Sequence, residues 1–232
     1  MHLKINGLEA GYGRKKVIRG VTFQVEKDQI VGIFGHNGAG KTTLFWAIMG
    51  HIAPTAGSIT MDQQDISHWP VYDKAKYGLR YIPAEKGVFS ELTVYENLIM
   101  GFHSIKDTPL ESRLQIIYQI FPILEKRKKQ MAGSLSGGEQ HMLAIAIGLI
   151  ANPKILMLDE PSLGLSPLLV QRVMEAVKNI NQEHGIGIIV AEQNIRSTLP
   201  ITRKAYFIKL GEMVFEEDSD KLIKRGNYWD LL

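Results

Sequence analysis

The chain of 232 residues contains no cysteine. A disulfide scaffold and a thiolate metal site are therefore excluded, and the composition suits a reducing compartment. Long apolar runs are also missing. The longest, residues 142–151, falls far short of the ~20 residues that a membrane-spanning helix needs. Net charge is small, +3 at pH 7, and points to no particular partner class. The densest basic run, Lys126-Arg127-Lys128-Lys129, reads as a solvated surface. No apolar h-region follows Met1-His2-Leu3-Lys4-Ile5-Asn6, so a signal peptide is not expected. No internal repeat or low-complexity tract is visible. The chain is expected to be soluble by itself, with any membrane role arising through a partner. Its length allows one large α/β domain, or one core with a subdomain.

What is present is a glycine-rich loop, Gly35-His36-Asn37-Gly38-Ala39-Gly40-Lys41-Thr42-Thr43, which fits the P-loop pattern G-x-x-x-x-G-K-[ST]. The apolar run Ile30-Val31-Gly32-Ile33-Phe34 enters it and the helix-competent run 43–49 leaves it. The motif is meaningful only in such a strand–loop–helix setting. Its glycines let the backbone wrap a phosphate, and the N–H groups of the loop and helix start point at the anion. Lys41 can reach outer phosphates, and the Thr42 hydroxyl can ligate Mg²⁺.

Around this loop, residues 3–8 alternate as a half-buried strand does, residues 11–13 read as a turn, and residues 17–25 as a second strand. Tyr12 is placed to stack on a nucleotide base, although taken alone it reads as a packed turn residue. Strands are expected at 58–61 and 79–83, with the polar turn 62–65 and the loop 84–87 beside them. Thr93 and Glu96 form a capping-box pair, and residues 88–150 read as mostly helical, with Ile116, Ile117, Ile120, Ile123 and Leu124 as a core stripe. Pro109 and Pro122 mark breaks or starts. Ser136, paired with Glu139, is expected to cap a buried helix over 140–151. Capping does not explain the adjacent Gly137 and Gly138; N–H groups approaching an anion do.

Residues 155–160 form an apolar strand with Asp159 and Glu160 at its C-terminal end, where functional groups of parallel α/β sheets gather. After a P-loop this is the Walker B pattern: Asp159 for Mg²⁺, directly or through water, and Glu160 as candidate general base. A helix is expected over 168–181, a buried strand over 186–191, a hairpin 204–210 and 212–215 across Gly211, and a short helix to Lys224 capped by Ser219.

Together these pieces resemble the ATPase subunits of ABC transporters over residues 3–215. The resemblance rests on Tyr12, on Gly35 to Thr43, on the signature Leu135-Ser136-Gly137-Gly138-Glu139, on Asp159-Glu160, and on the D-loop region 161–167. It implies an α/β fold: a P-loop NTPase core with a mixed sheet, an antiparallel β subdomain and an inserted helical subdomain. The whole of 1–232 is then one ABC ATPase domain. Residues 1–87 and 151–232 form the core with the β subdomain, and about 88–150 the helical subdomain.

Within the family the chain looks most like the branched-chain amino-acid uptake ATPases. The carriers are Gly87-Val88-Phe89, residues 92–98, Gln140 with residues 142–145, Glu160 to Pro167, and Glu192-Gln193-Asn194. Gln193 at the switch position resembles the glutamine-carrying subunit of that family's pair. The likeness implies ATP and Mg²⁺ as ligands. It also implies a head-to-tail sandwich with a second, different ATPase subunit, permease subunits in the membrane and an extracytoplasmic solute-binding protein, with no nucleic acid. The chain would sit peripherally at the cytoplasmic face, importing branched-chain or other amino acids. An exporter or lipid-extraction ATPase, or a weakly hydrolytic regulatory subunit, are the alternatives. Departures from the family are His36 in place of proline, Ala84 at the Q-loop position with Glu85 beside it, His141 for glutamine and Ser166 for aspartate.

Overall fold

A computed structural model of the chain describes residues 2–85, 87–102 and 109–226. Two sheets organise it. The strands of the first are β1 (His2–Tyr12), β2 (Lys15–Glu26), β4 (Ala56–Met61) and β5 (Gln64–Asp65), all antiparallel in the order β2-β1-β4-β5. The second holds β3 (Ile30–Phe34), β6 (Leu79–Ile82), β7 (Ile155–Asp159), β8 (Gly187–Glu192), β9 (Lys204–Lys209) and β10 (Glu212–Asp218), in the order β10-β9-β3-β8-β7-β6. Its pairings are parallel except for the edge strand β10. The mixed sheet and the antiparallel sheet are those expected.

Every residue of β3, β7 and β8 is buried, which is why these strands read as unbroken apolar runs. Successive side chains of β8 enter different cores: Ile189 and Ala191 one, Ile188 and Val190 the other. The first core lies between the two sheets and contains the helix α1 (Lys41–Met49), buried through Leu44, Phe45, Ala47 and Ile48. The second joins the opposite sheet face to α3 (Val94–Phe102), α4 (Leu110–Ile120), α5 (Pro122–Lys126), α6 (Gly137–Ile150) and α7 (Pro167–His184).

The helical stripe packs as expected through Ile117 and Leu124, with Leu114 beside them; Ile120 and Ile123 lie at its margin, and Ile116, expected in it, is half-buried outside that core. Pro109 precedes α4 and Pro122 opens α5. Thr93 and Glu96 do form a capping box, at 2.7 Å and 3.2 Å. Arg113 of α4 donates to the carbonyls of Leu149 at 3.0 Å and Ile150 at 3.2 Å, satisfying the end of α6. Residues 103–108 of the expected helical stretch, and Lys86 of the expected loop, lie outside the described residues.

Several local readings differ; Gln64 and Asp65 of the expected polar turn pair with Met61 and Thr60 as β5. The helix α2 (Val71–Tyr77) was not anticipated, because it is only seven residues long and Val71 and Ala75 alone mark its inward face at helical spacing. The one-turn helix α8 (Ile195–Thr198) is too short to show a period. β1 continues to Tyr12, so the turn falls one residue later than read. Ser219 is the first residue of α9 (Ser219–Arg225), not its cap; it is buried with its hydroxyl 2.8 Å from that of Thr202.

Candidate nucleotide site

The strands β3, β7 and β8 end together, as the pairings Phe34 with Glu192 and Asp159 with Ala191 show. The loop after β3 therefore meets the two carboxylates after β7 and the segment after β8. Gly40, at φ 111°, is the left-handed residue from which α1 starts. A Cβ there would be strained by the conformation and would also stand 3.0 Å from the Ile18 side chain. The hairpin turn of β9 and β10 buttresses the loop: Gly211, at φ 84°, donates its N–H to Ala39 at 2.8 Å.

Lys41 is 4% exposed and folds back over the loop. Its ammonium donates to the carbonyls of Gly35 at 2.8 Å and His36 at 3.1 Å, and pairs with Glu160 Oε1 at 3.0 Å. Thr42 donates to Asp159 Oδ2 at 2.7 Å. Tyr81 donates to the same oxygen at 3.1 Å, and Trp46 Nε1 in turn donates to the Tyr81 hydroxyl at 3.2 Å. Burial raises Asp159 above the usual carboxylate range, against the hydrogen bonds from Thr42 and Tyr81. Burial, with Asp159 nearby, raises the Tyr81 phenol well above its ordinary value, which keeps it a donor.

The other oxygen of Asp159, Oδ1, is buried and has no hydrogen-bond partner among the described residues. An orphaned buried carboxylate oxygen is costly. A hard cation beside it, next to the Thr42 hydroxyl, supplies the missing partner, so these residues fit Mg²⁺. No group of three or more His, Cys, Asp and Glu residues that could hold a metal occurs among the described residues. Mg²⁺ takes one or two carboxylates and completes its shell with water and substrate phosphates.

Glu160 sits at φ 46°, uncommon for a residue with a side chain, and its N–H donates to Ala191 at 2.8 Å. Gln193 is exposed just beyond β8, and Tyr12 is 49% exposed at the end of β1. Both can meet a ligand. His36, Asn37 and Gly38 form the exposed crest of the loop; Gly35 and Ala39 are buried beneath it, and Thr43 lies half-buried in α1.

The signature forms a second polar cluster. Ser136 caps α6, its N–H and hydroxyl each 2.9 Å from Glu139 Oε2, while Glu139 Oε1 pairs with Arg127 at 3.0 Å. These bonds run to one another and to Arg127, not to the P-loop. The helix begins at Gly137 rather than Gln140. Its two glycines have different reasons. A Cβ on Gly138 would stand 2.8 Å from Leu169, whereas one on Gly137 would meet nothing within 4 Å. Gly138 thus lies against the end of the Leu169 side chain, and Gly137 faces open space at the helix start. Leu135 is buried beneath them.

Ala84 and Glu85 line a cleft of about 390 Å³ with Gln140, His141 and Gly164. From this stretch it is Tyr81, not Ala84, that reaches Asp159. Sequence reasoning missed Tyr81 and Trp46, because a strand tyrosine and a helix tryptophan give no local sign of meeting a carboxylate. It also left Glu192 without a role, although a charged residue ending a buried strand was a usable signal.

The family described as ABC transporter matches residues 18–163. The chain is 35% identical, over 95% of its length and 94% of the relative's, to the high-affinity branched-chain amino acid transport ATP-binding protein BraG of Pseudomonas aeruginosa. It is also 35% identical, over 91% of its length and 88% of the relative's, to the lipopolysaccharide export system ATP-binding protein LptB of Escherichia coli strain K12. Among solved structures it is similar to the ADP conformation of MJ1267, an ATP-binding cassette of an ABC transporter. The TM-score is 0.85 and the identity 25%, covering 97% of this chain and 94% of that one.

Proposed function

The chain belongs to the ABC transporter family and carries its ATPase cassette, and from that premise we propose that it powers uptake of branched-chain or other amino acids. It does so as a peripheral subunit at the cytoplasmic face of the membrane. Its partners are permease subunits, a second and different ATPase subunit and a solute-binding protein. The division into a core of 1–87 and 151–232 and a helical subdomain of about 88–150 belongs to the same reading.

The observation that carries hydrolysis is the pairing of Lys41 with Glu160 and of Thr42 with Asp159, which brings the start of α1 against the end of β7. Lys41 and the N–H groups of 35–43 bind the triphosphate, and Tyr12 stacks on the base. Thr42 and Asp159 hold Mg²⁺, which neutralises charge on the phosphates when bound. Glu160 polarises the attacking water, and Gln193 donates to the outer phosphate; unlike histidine it does so without becoming cationic. Tyr81 takes part of the place left by Ala84, by fixing Asp159. Leu135 to Glu139 present Ser136 and Gly137 to the nucleotide of the partner cassette, because one nucleotide needs only one such set of donors.

Import is favoured by the BraG relative together with Gln193. The second reading, an exporter or lipid-extraction ATPase, is favoured by LptB at the same identity. Reconstitution in vesicles with the permeases encoded beside it separates them. Import requires ATPase stimulation by an amino acid together with its binding protein. Stimulation by a lipid, with no response to amino acids, establishes the second reading instead.

A further inference from the structure

Glu192 ends β8 as a carboxylate that is only 2% exposed. It has no cationic partner within ion-pair distance among the described residues. Both of its oxygens are instead held by main-chain amides. Oε1 accepts from Ser162 N–H at 2.9 Å, on the loop that follows Glu160. Oε2 accepts from Gln193 N–H at 3.2 Å and, longer, from Asn194 N–H at 3.4 Å. The main-chain carbonyl of the same residue accepts from Gly35 N–H at 3.2 Å, at the first position of the P-loop. One residue thus touches the P-loop, the loop after the Walker carboxylates and the switch segment. Removing a carboxylate from water is expensive, and burial does raise this carboxyl above its ordinary range. A neutral apolar residue would fill the space without that cost, but it would leave three amides unbonded.

We propose that Glu192 is a positioning residue that ties the segment bearing Gln193 to the loop following Glu160, so that both side chains meet one phosphate in a fixed relation. The proposal rests on the ATPase reading above for its kinetic consequence, but not for its structural one. Its two oxygens let the carboxylate accept from both segments at once. A glutamine side chain of the same length keeps one acceptor and turns an N–H₂ group towards the other amide, which frees one of the two segments. A positional error of this kind acts on the chemical step more than on substrate affinity, because the P-loop contacts survive.

Two measurements test it. The first is hydrogen exchange on the full nucleotide-free chain, which does not depend on what the chain hydrolyses. Glu192→Ala raises exchange at Ser162 and at residues 193–194 together while α1 keeps its protection; if that variant fails to fold, Glu192→Gln raises exchange in one of the two segments. Unchanged exchange in both segments overturns the clamp. The second is steady-state ATPase of the chain assembled with its transporter partners. Glu192→Gln lowers kcat about tenfold with KM for ATP within about twofold. In a Gln193→Ala background the same substitution changes kcat by less than about twofold, because the positioned group is already gone. A second full tenfold loss in that background, or an unchanged kcat in the single variant, overturns the positioning role. Should the wild-type complex hydrolyse no ATP while the exchange result holds, it is the ATPase reading that fails, not the clamp.

Discussion

Lys41 cannot serve two anions at full strength. Its ammonium lies 3.0 Å from Glu160 Oε1, with the lysine 4% and the glutamate 19% exposed. An incoming phosphate must compete with that carboxylate. Replacing Glu160 by glutamine removes the competing charge and keeps the shape of the side chain. A fully buried pair would be worth several kcal/mol and an exposed one under about 1 kcal/mol. This pair, buried at the lysine and partly open to solvent at the glutamate, is taken between those limits at about 1–2 kcal/mol. At about 1.4 kcal/mol per factor of ten, ATP binding to Glu160→Gln tightens by about 5- to 30-fold. Turnover falls in the opposite direction, by about 10²- to 10⁴-fold, if Glu160 is the general base. Calorimetric titration of the isolated chain with ATP and Mg²⁺ reads the first effect, and phosphate release from the assembled complex reads the second. Affinity equal to or weaker than wild type refutes the competition. Undiminished hydrolysis refutes the assignment of Glu160.

Three further outcomes are expected. Tyr81→Phe removes a donor from Asp159 and the acceptor of Trp46; it costs about 1–2 kcal/mol in urea unfolding and shifts tryptophan emission, and an unchanged midpoint would place the hydroxyl outside any bonded network. Gly211→Ala sets a Cβ 1.7 Å from the Val17 carbonyl at φ 84°, so stability drops by at least about 2 kcal/mol and nucleotide affinity weakens as the buttress under Ala39 shifts; a neutral variant contradicts the packing argument. The third concerns pH. Burial raises Asp159 in the folded chain, so the folded state binds its proton more tightly than the unfolded one. Its ionised form therefore costs stability above the raised value, a cost that is relieved as pH falls towards the ordinary carboxylate range. Asp159→Asn is accordingly more stable than wild type at neutral pH, and the difference in Tm shrinks on acidification. A difference in Tm that grows on acidification would show the shift to have the opposite sign.

Much of the fold was legible because buried parallel strands and capped helices leave strong local marks. Ile30 to Phe34 needed no adjustment, and the Ser136–Glu139 and Thr93–Glu96 boxes closed as read. Lys41, Thr42, Asp159 and Glu160 come from segments far apart in sequence, yet the P-loop and the strand-end carboxylates announce each other through shared phosphate chemistry. What sequence did not show were relations set by tertiary packing. Tyr81 looks like any strand aromatic until β6 is paired with β7, which brings its hydroxyl to Asp159. The contact of Gly138 with Leu169 is set only by the packing of α7 on α6. The helix α2 relies on neighbours for its burial, with Lys74 inserted beneath it and donating to the Ile48 carbonyl at 2.9 Å.

The central claim is that Thr42 and Asp159, joined at 2.7 Å, form with Lys41 one site for a metal-bound triphosphate. The most direct test compares ATP affinity with and without Mg²⁺, in wild type and in Asp159→Asn, on the folded isolated chain. Mg²⁺ should strengthen binding to wild type by about tenfold or more and leave the variant nearly unaffected. An equal Mg²⁺ dependence in both proteins would contradict the claim.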